Sequence, residues 1–348
     1  MTTARPLRVM VVDDSPFSRK AITRMLTADA EIEVVAQAGT GEEALERLAG
    51  AAVDVVTLDL EMPGLGGLGT LQRIRREHRA AVVVLSGAAG AAATLQALDL
   101  GAFDVVAKPG GHLAIHEVTR ELVAKVRAAA GRDRPARAVS PPPAPRPPRS
   151  PEGIALVVIG TSTGGPPALQ QVIPRLPADF PLPVLVLQHM PPGYTRALAE
   201  RLDRQSAVTV KEAEDGDGLV PGRVLVAPSG FQLGLAGSEQ AARVAISETC
   251  PFPSYYRPSI DHTFNEAARC FGRRALGVVL TGMGSDGAAG LGAIKTAGGL
   301  AWAQDEATST IYGMPRAAFE AGVVDVVFPL EALPTMLTVA ATAAISSW

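Results

Sequence analysis

Three polar residues stand where apolar runs end in the second half of the chain. Ser162 lies in I-G-T-S-T-G-G-P (159–166), His189 in Q-H-M-P-P-G-Y-T (188–195) and Asp286 in L-T-G-M-G-S-D-G-A (280–288). Together they offer a nucleophile, a base and a carboxylate to orient the base. The glycines beside Ser162 let the backbone turn tightly and bring N–H groups close to a ligand, which suits either a phosphate cradle or an oxyanion hole. A dinucleotide loop fits less well, because G-T-S-T-G-G lacks the G-x-G-x-x-G spacing and the next strand ends in Gln188-His189 rather than an acid. The order Ser, His, Asp differs from that of chymotrypsin, subtilisin and the α/β-hydrolases, and G-T-S-T-G is not the G-x-S-x-G elbow. Spatial arrangement must therefore decide. Plainer readings exist for two of the three: His189 as an ordinary strand-end histidine, and Asp286 as the cap of a helix after Gly287. Of five histidines, His262 is the rival base, and it falls inside a helical pattern.

A second group lies in the first half: Asp13, Asp14, Asp59, Ser86 and Lys108. Three carboxylates at one point repel one another unless a cation joins them, and an oxygen-only set suits Mg²⁺. Lys108 adds another positive group and Ser86 a hydroxyl. Such a site can place a phosphoryl group on a carboxylate, its oxygens neutralised by metal and lysine. Any one of these residues alone would be an ordinary loop side chain; the set has meaning only if the elements bring it together.

The pattern of elements does so. Apolar runs at Leu7–Val12, Val34–Ala36, Val53–Leu58, Ala81–Leu85 and Asp104–Ala107 alternate with helical spacings, the first opened by Ser15 as N-cap and Pro16. Five strand–helix units predict a doubly wound parallel sheet, with ligands at the carboxyl ends of its strands. Ala155–Ile159, Val184–Leu187 and Leu276–Leu280 predict further buried strands, ending at Ser162, His189 and Asp286. The middle of this half carries strand signals at Val208–Val210, Val224–Ala227 and Val244–Ile246, and helical spacing at Tyr194–Leu202 and Ile260–Cys270. Both halves are thus α/β, the second with a mostly parallel sheet.

Residues 132–152 hold eight prolines and five arginines and almost no aliphatic side chains. They cannot build a core and favour extended polyproline II. The chain of 348 residues therefore reads as a domain over 5–131, a Pro/Arg-rich linker over 132–152 and a domain over 153–348. A net charge of −3 gives no global basic field, and no helix-turn-helix signal is visible in the second domain, which disfavours nucleic acid. The uncharged stretch Ala80–Leu98 reads as strand, turn and helix start rather than a membrane span. Cys250 and Cys270 have no metal spacing and read as reduced thiols of a cytoplasmic protein.

V-V-D-D-S (11–15), L-D-L-E-M-P (58–63) and K-P (108–109) resemble the receiver domain of two-component response regulators. That resemblance implies Asp59 as phospho-acceptor, Asp14 as a direct Mg²⁺ ligand assisted by Asp13, the Glu61 carbonyl as a further ligand, Lys108 paired to the phosphoryl group and Ser86 as switch residue. Where the family usually carries an aromatic three residues before the lysine, this chain has Val105. The three motifs around Ser162, His189 and Asp286, with Q-D-E-A-T-S-T-I-Y-G-M-P (304–315), resemble the chemotaxis protein-glutamate methylesterase family, CheB. This second resemblance implies Ser162 as nucleophile, His189 as base, Asp286 as orienting acid and the Thr163 and Met283 segments framing the oxyanion. It implies hydrolysis of glutamyl methyl esters, and deamidation of glutamines, on methyl-accepting chemotaxis receptors. It also implies control by a chemotaxis histidine kinase and no cofactor at the esterase site. P-S-I-D-H (258–262) also resembles the family, with His262 where an apolar residue is common; no role follows for it from sequence. A response regulator whose output is binding or scaffolding is the rival reading.

Overall fold

The structure is a computed structural model, in which residues 5–87, 90–108, 115–131, 153–251, 254 and 256–342 are described. The chain divides into two compact units, residues 1–135 and 136–348. The Pro/Arg-rich segment 132–152 lies outside the described residues.

In the first unit, strands β1 (Leu7–Val12), β2 (Ile32–Ala38), β3 (Val55–Asp59), β4 (Ala81–Ser86) and β5 (Asp104–Ala107) alternate with five helices. These are α1 (Pro16–Leu26), α2 (Gly41–Gly50), α3 (Gly66–Glu77), α4 (Ala91–Asp99) and α5 (Ile115–Ala130). The strands pair parallel in the order β2-β1-β3-β4-β5. Helices cover both faces, so the central strands must be apolar throughout, and Val9 to Val12 and Val82 to Val84 are fully buried. Ser15 caps α1 as expected, its hydroxyl accepting from the Ser18 amide. The direction in which strands are added reverses at β1, which lies between β2 and β3, and that is where a doubly wound sheet opens a crevice.

The second unit holds a seven-stranded parallel sheet ordered β14-β13-β12-β6-β7-β9-β8. Its strands are β6 (Leu156–Thr161), β7 (Val184–Gln188), β8 (Thr209–Glu212), β9 (Arg223–Val226), β12 (Ala275–Val279), β13 (Leu300–Gln304) and β14 (Val326–Phe328). The first strand, β6, lies between β12 and β7, so the later chain runs out to both sides of it. Helices α6 (Gly165–Val172), α7 (Tyr194–Gln205), α8 (Ile260–Phe271), α9 (Ala288–Thr296), α10 (Met314–Glu320) and α11 (Leu333–Thr342) complete the layers. Phe264 of α8 is fully buried; a buried Phe contributes about 1.5–3 kcal/mol.

A separate antiparallel ribbon, β10 (Gln232–Ala236) with β11 (Arg243–Ser247), packs Leu233, Leu235 and Val244 into the core that α8 shares. Periodicity finds β11 but not β10. Gln232 and Gly234 interrupt the apolar pattern there, yet Gln232 is buried because its amide is satisfied by the Tyr256 carbonyl and the Ser259 amide.

Candidate active site

Ser162 stands on the turn between β6 and α6. The turn demands glycine twice. Gly164 has φ +79°, and a Cβ on Gly165 would lie 2.0 Å from the Gln188 Oε1 atom. The Ser162 carbonyl accepts from the Gly165 amide (2.8 Å) and the Gln188 Nε2 group (2.9 Å), while its amide donates to the Thr281 carbonyl (3.0 Å). The loop after β12 thus holds one side of the turn and Gln188 the other. Beneath them, Thr281 donates from its amide to Gln304 Oε1 (2.7 Å) and from its hydroxyl to the Thr163 carbonyl (2.9 Å). The amides of Gly282 and Met314 close the loop against 304–315, bonding the Ile311 and Gly282 carbonyls. The four second-domain motifs therefore meet at one edge of the sheet.

His189 follows Gln188, which pairs with Thr161 in the parallel register, and its amide donates to the Thr161 carbonyl at 3.0 Å. Ser162 and His189 thus leave neighbouring strands, about 4.8 Å apart, at the same level. The imidazole Nε2 lies 2.9 Å from Asp286 Oδ2, both side chains being almost buried. Its Nδ1 is buried and has no hydrogen-bond partner among the described residues. With Nε2–H donated to the carboxylate, Nδ1 is the lone pair left to accept a proton. The stacked ring of Tyr256 covers the imidazole, with centroids 4.0 Å apart.

Asp286 does not cap the helix that follows it. It caps α8 instead: Oδ2 accepts from the Ile260 amide (2.8 Å), and Oδ1 from the Asp261 amide (2.9 Å) and the Ser259 hydroxyl (3.3 Å). Asp261 returns the favour to α9, accepting from the amides of Gly287 (2.9 Å) and Gly290 (2.6 Å). Burial pushes Asp286 up, but the His189 bond and charge and the Asp261 and Ile260 amides outweigh it and hold the carboxyl below its ordinary value. Asp261 goes the other way, raised by burial and by the neighbouring Asp286.

His262, the rival base, is buried in α8 against β10, where a Cβ on Gly234 would lie 3.4 Å from its Nε2. Burial lowers its pKa. Ser259, Asp261, Gln188 and Tyr256 are supports that motif reading passed over. P-S-I-D carried a signal for two of them, a Ser three residues before His262 at a helix start and an acid in the first turn.

In the first unit, Asp13 and Asp14 follow β1, Asp59 ends β3, Ser86 ends β4 and Lys108 follows β5. Carboxylate oxygens of Asp13, Asp14 and Asp59 lie within 4.8 Å of one another. Lys108 Nζ sits 2.5 Å from Asp59 Oδ2 and 2.8 Å from Asp13 Oδ2. Asp13 and Asp59 are buried and Asp14 is exposed. Burial raises the Asp59 pKa, and Asp13 adds to the rise, against the opposing pull of Lys108 and the Glu61 amide. Burial would lower Lys108, but its two carboxylate partners outweigh that and raise it. Ser86 is buried and donates to the Gly87 carbonyl. Two buried carboxylates and the exposed Asp14 beside one lysine leave an excess of negative charge, and oxygen-only donors suit a hard divalent cation.

Comparison with known proteins matches these two sites to two families. The CheB methylesterase model matches residues 157–337, and the response regulator receiver domain model matches residues 9–120. A protein-glutamate methylesterase/protein-glutamine glutaminase of Symbiobacterium thermophilum is 45% identical, over 96% of this chain and 97% of its own. The chain belongs to the CheB methylesterase family. Another CheB relative, from Moorella thermoacetica and of the same name, is 40% identical over 97% of this chain and 99% of its own. The crystal structure of the Thermotoga maritima CheB methylesterase catalytic domain is 43% identical and superposes with a TM-score of 0.52, covering 53% of this chain and 97% of that one. The α/β fold of both units and the CheB resemblance expected from sequence are thereby borne out. No helix among the described residues is long and apolar enough to cross a membrane.

Proposed function

We propose that this chain is a phosphorylation-regulated protein-glutamate methylesterase and protein-glutamine glutaminase, acting in the cytoplasm on methyl-accepting chemotaxis receptors. The observation that carries the chemistry is the His189–Asp286 pair, with Nδ1 left without a partner one strand from Ser162. As Ser162 Oγ attacks the ester carbonyl, its proton passes to His189 Nδ1. Asp286 fixes the tautomer and stabilises the imidazolium. The Thr163 and Met283 amide segments hold the oxyanion, each donor worth about 3–4 kcal/mol. The carbon–methoxy bond breaks, methanol leaves with the proton from His189, and water then attacks the acyl-serine with His189 again as base. Glutamate is released on the receptor and Ser162 regains its proton. A glutamine side chain follows the same course and releases ammonia.

Asp59 is the phospho-acceptor and a chemotaxis histidine kinase the donor. Asp13, Asp14, Asp59 and the Glu61 carbonyl would hold Mg²⁺, which when bound neutralises phosphoryl oxygens. Lys108, which already pairs with Asp59 and Asp13, would pair with the phosphoryl group, and Ser86 would offer it a hydroxyl. Neither nucleic acid nor membrane insertion has a part in this scheme, and the esterase site uses no cofactor. The test is methanol release from methylated receptor membranes. Ser162→Ala and His189→Ala should each lose most of it, since triad members act as a unit. Wild-type release by Ser162→Ala would overturn the reading.

A further inference from the structure

We propose that Tyr256 is a positioning residue that fixes the plane of the His189 imidazole; this rests on His189 being the base. The hydrogen bond from Nε2 to Asp286 restrains the ring along one direction only. A ring held by one bond can still turn about that bond's axis, and such a turn would swing the Nδ1 lone pair away from the serine. The Tyr256 ring removes this freedom. It lies parallel to the imidazole, with centroids 4.0 Å apart and 4° between planes. An aromatic face also attracts the cation that forms when His189 takes up a proton, so the contact strengthens at the step where charge develops.

Tyr256 is itself held on three sides. Its carbonyl accepts from Gln232 Nε2 (2.8 Å), and its amide donates to the Ser254 hydroxyl (3.2 Å). Its hydroxyl approaches Gly284 on the loop that carries Asp286, where a Cβ would come within 3.2 Å of it. Gln232 clamps the segment at a second point, its Oε1 accepting from the Ser259 amide at 2.8 Å. One and two residues after Ser259, the Ile260 and Asp261 amides hold Asp286. One short segment, 256–261, thus sets both the plane of the base and the position of its carboxylate partner. Among the described residues, Asp286 and Tyr256 are the titratable groups recorded against the imidazole, with Asp261 behind Asp286.

The test uses the full chain and two readouts. The carbon-bound ring protons of His189, assigned by their absence in His189→Ala, should resonate upfield of the other histidines through the Tyr256 ring current. Tyr256→Phe should keep that shift and restore wild-type kcat. Tyr256→Leu should lose the shift and about 3- to 10-fold in kcat, with KM within twofold. Ordinary His189 shifts in the wild-type protein overturn the proposal without any variant. So does a Tyr256→Leu enzyme with full kcat, or a Tyr256→Phe enzyme as slow as Tyr256→Leu, which would assign the effect to the hydroxyl. Should Tyr256→Leu fail to fold, the wild-type shifts and Tyr256→Phe still decide. Undiminished methanol release by His189→Ala would instead remove the base assignment beneath the inference.

Discussion

Asp286 and Asp261 each accept amides from the start of the other's helix, and their acidities diverge. For Asp286 the folded state lowers the pKa, so its ionised form stabilises the fold at neutral pH, and that contribution is lost as pH falls through the folded value. For Asp261 the sign reverses. Its folded pKa is raised, so the ionised form costs stability above that value, and protonation on falling pH relieves the cost. Asp261→Asn keeps an Oδ1 acceptor for Gly287 and Gly290 and removes the charge. Its melting temperature at pH 7 should exceed the wild type's, because the ionised carboxylate no longer has to be held. The difference should shrink as pH falls into the carboxylate range, as thermal melts at a series of pH values would show; a lower melting temperature at pH 7 would contradict it. At this scale the sequence revealed the chemistry better than its scaffolding. Ser162, His189 and Asp286 stood out as strand-end polar residues beside glycines. Asp261 carried only the common signal of an acid in a helix's first turn, which does not say whose amides it holds, and Tyr256 carried none, because a stacked ring resembles any aromatic in a loop.

The β6–α6 turn shows how far an element depends on one missing side chain. Gly165 has ordinary backbone angles, so alanine is allowed conformationally, yet its Cβ would meet Gln188 Oε1 at 2.0 Å and Thr161 Oγ1 at 2.5 Å. Gln188 is buried and holds the Ser162 and His189 carbonyls, so it cannot yield without moving both residues. Gly165→Ala should cost about 1–3 kcal/mol through overpacking and lower kcat by at least about 10-fold, since small displacements of reacting groups are costly. A folded Gly165→Ala enzyme with wild-type turnover would refute this. In the first unit the comparable strap is Lys125 of α5. Its Nζ reaches Asp104 Oδ2 (3.2 Å), Glu121 Oε1 (2.7 Å) and the Val105 carbonyl (2.6 Å). Burial would lower its pKa, but the two carboxylates outweigh this and raise it. Lys125→Met should destabilise the receiver transition in calorimetry by about 3 kcal/mol, the low end for breaking a buried pair because Glu121 is one-third exposed. Most elements were legible from period and turn residues. β10 was not, because its buried Gln232 and Gly234 take their meaning from partners over twenty residues away.

The receiver motif departs from its expected pattern at one position. Val105 occupies the position of the customary aromatic, and it is buried in β5 with its carbonyl tied to Lys125. It has no ring to swing. On the proposed reading, a signal from Asp59 would start from the groups around it: Lys108, which bridges Asp59 and Asp13, the Glu61 amide on Asp59, and Ser86 at the end of the neighbouring strand. Adding a phosphoryl group to Asp59 would give Lys108 a new anionic partner in competition with Asp13, and would bring a hydrogen-bond acceptor towards the Ser86 hydroxyl. Acetyl phosphate with Mg²⁺ should then raise methanol release by the full chain, and Ser86→Ala should blunt that rise. In Asp59→Asn the rates with and without phosphodonor should coincide. If the receiver acts by restraint, deleting residues 1–140 should yield an enzyme at least as fast as the phosphorylated full chain. A truncated enzyme slower than the unphosphorylated full chain would show that the receiver assists the esterase, and relief of inhibition would no longer describe the switch.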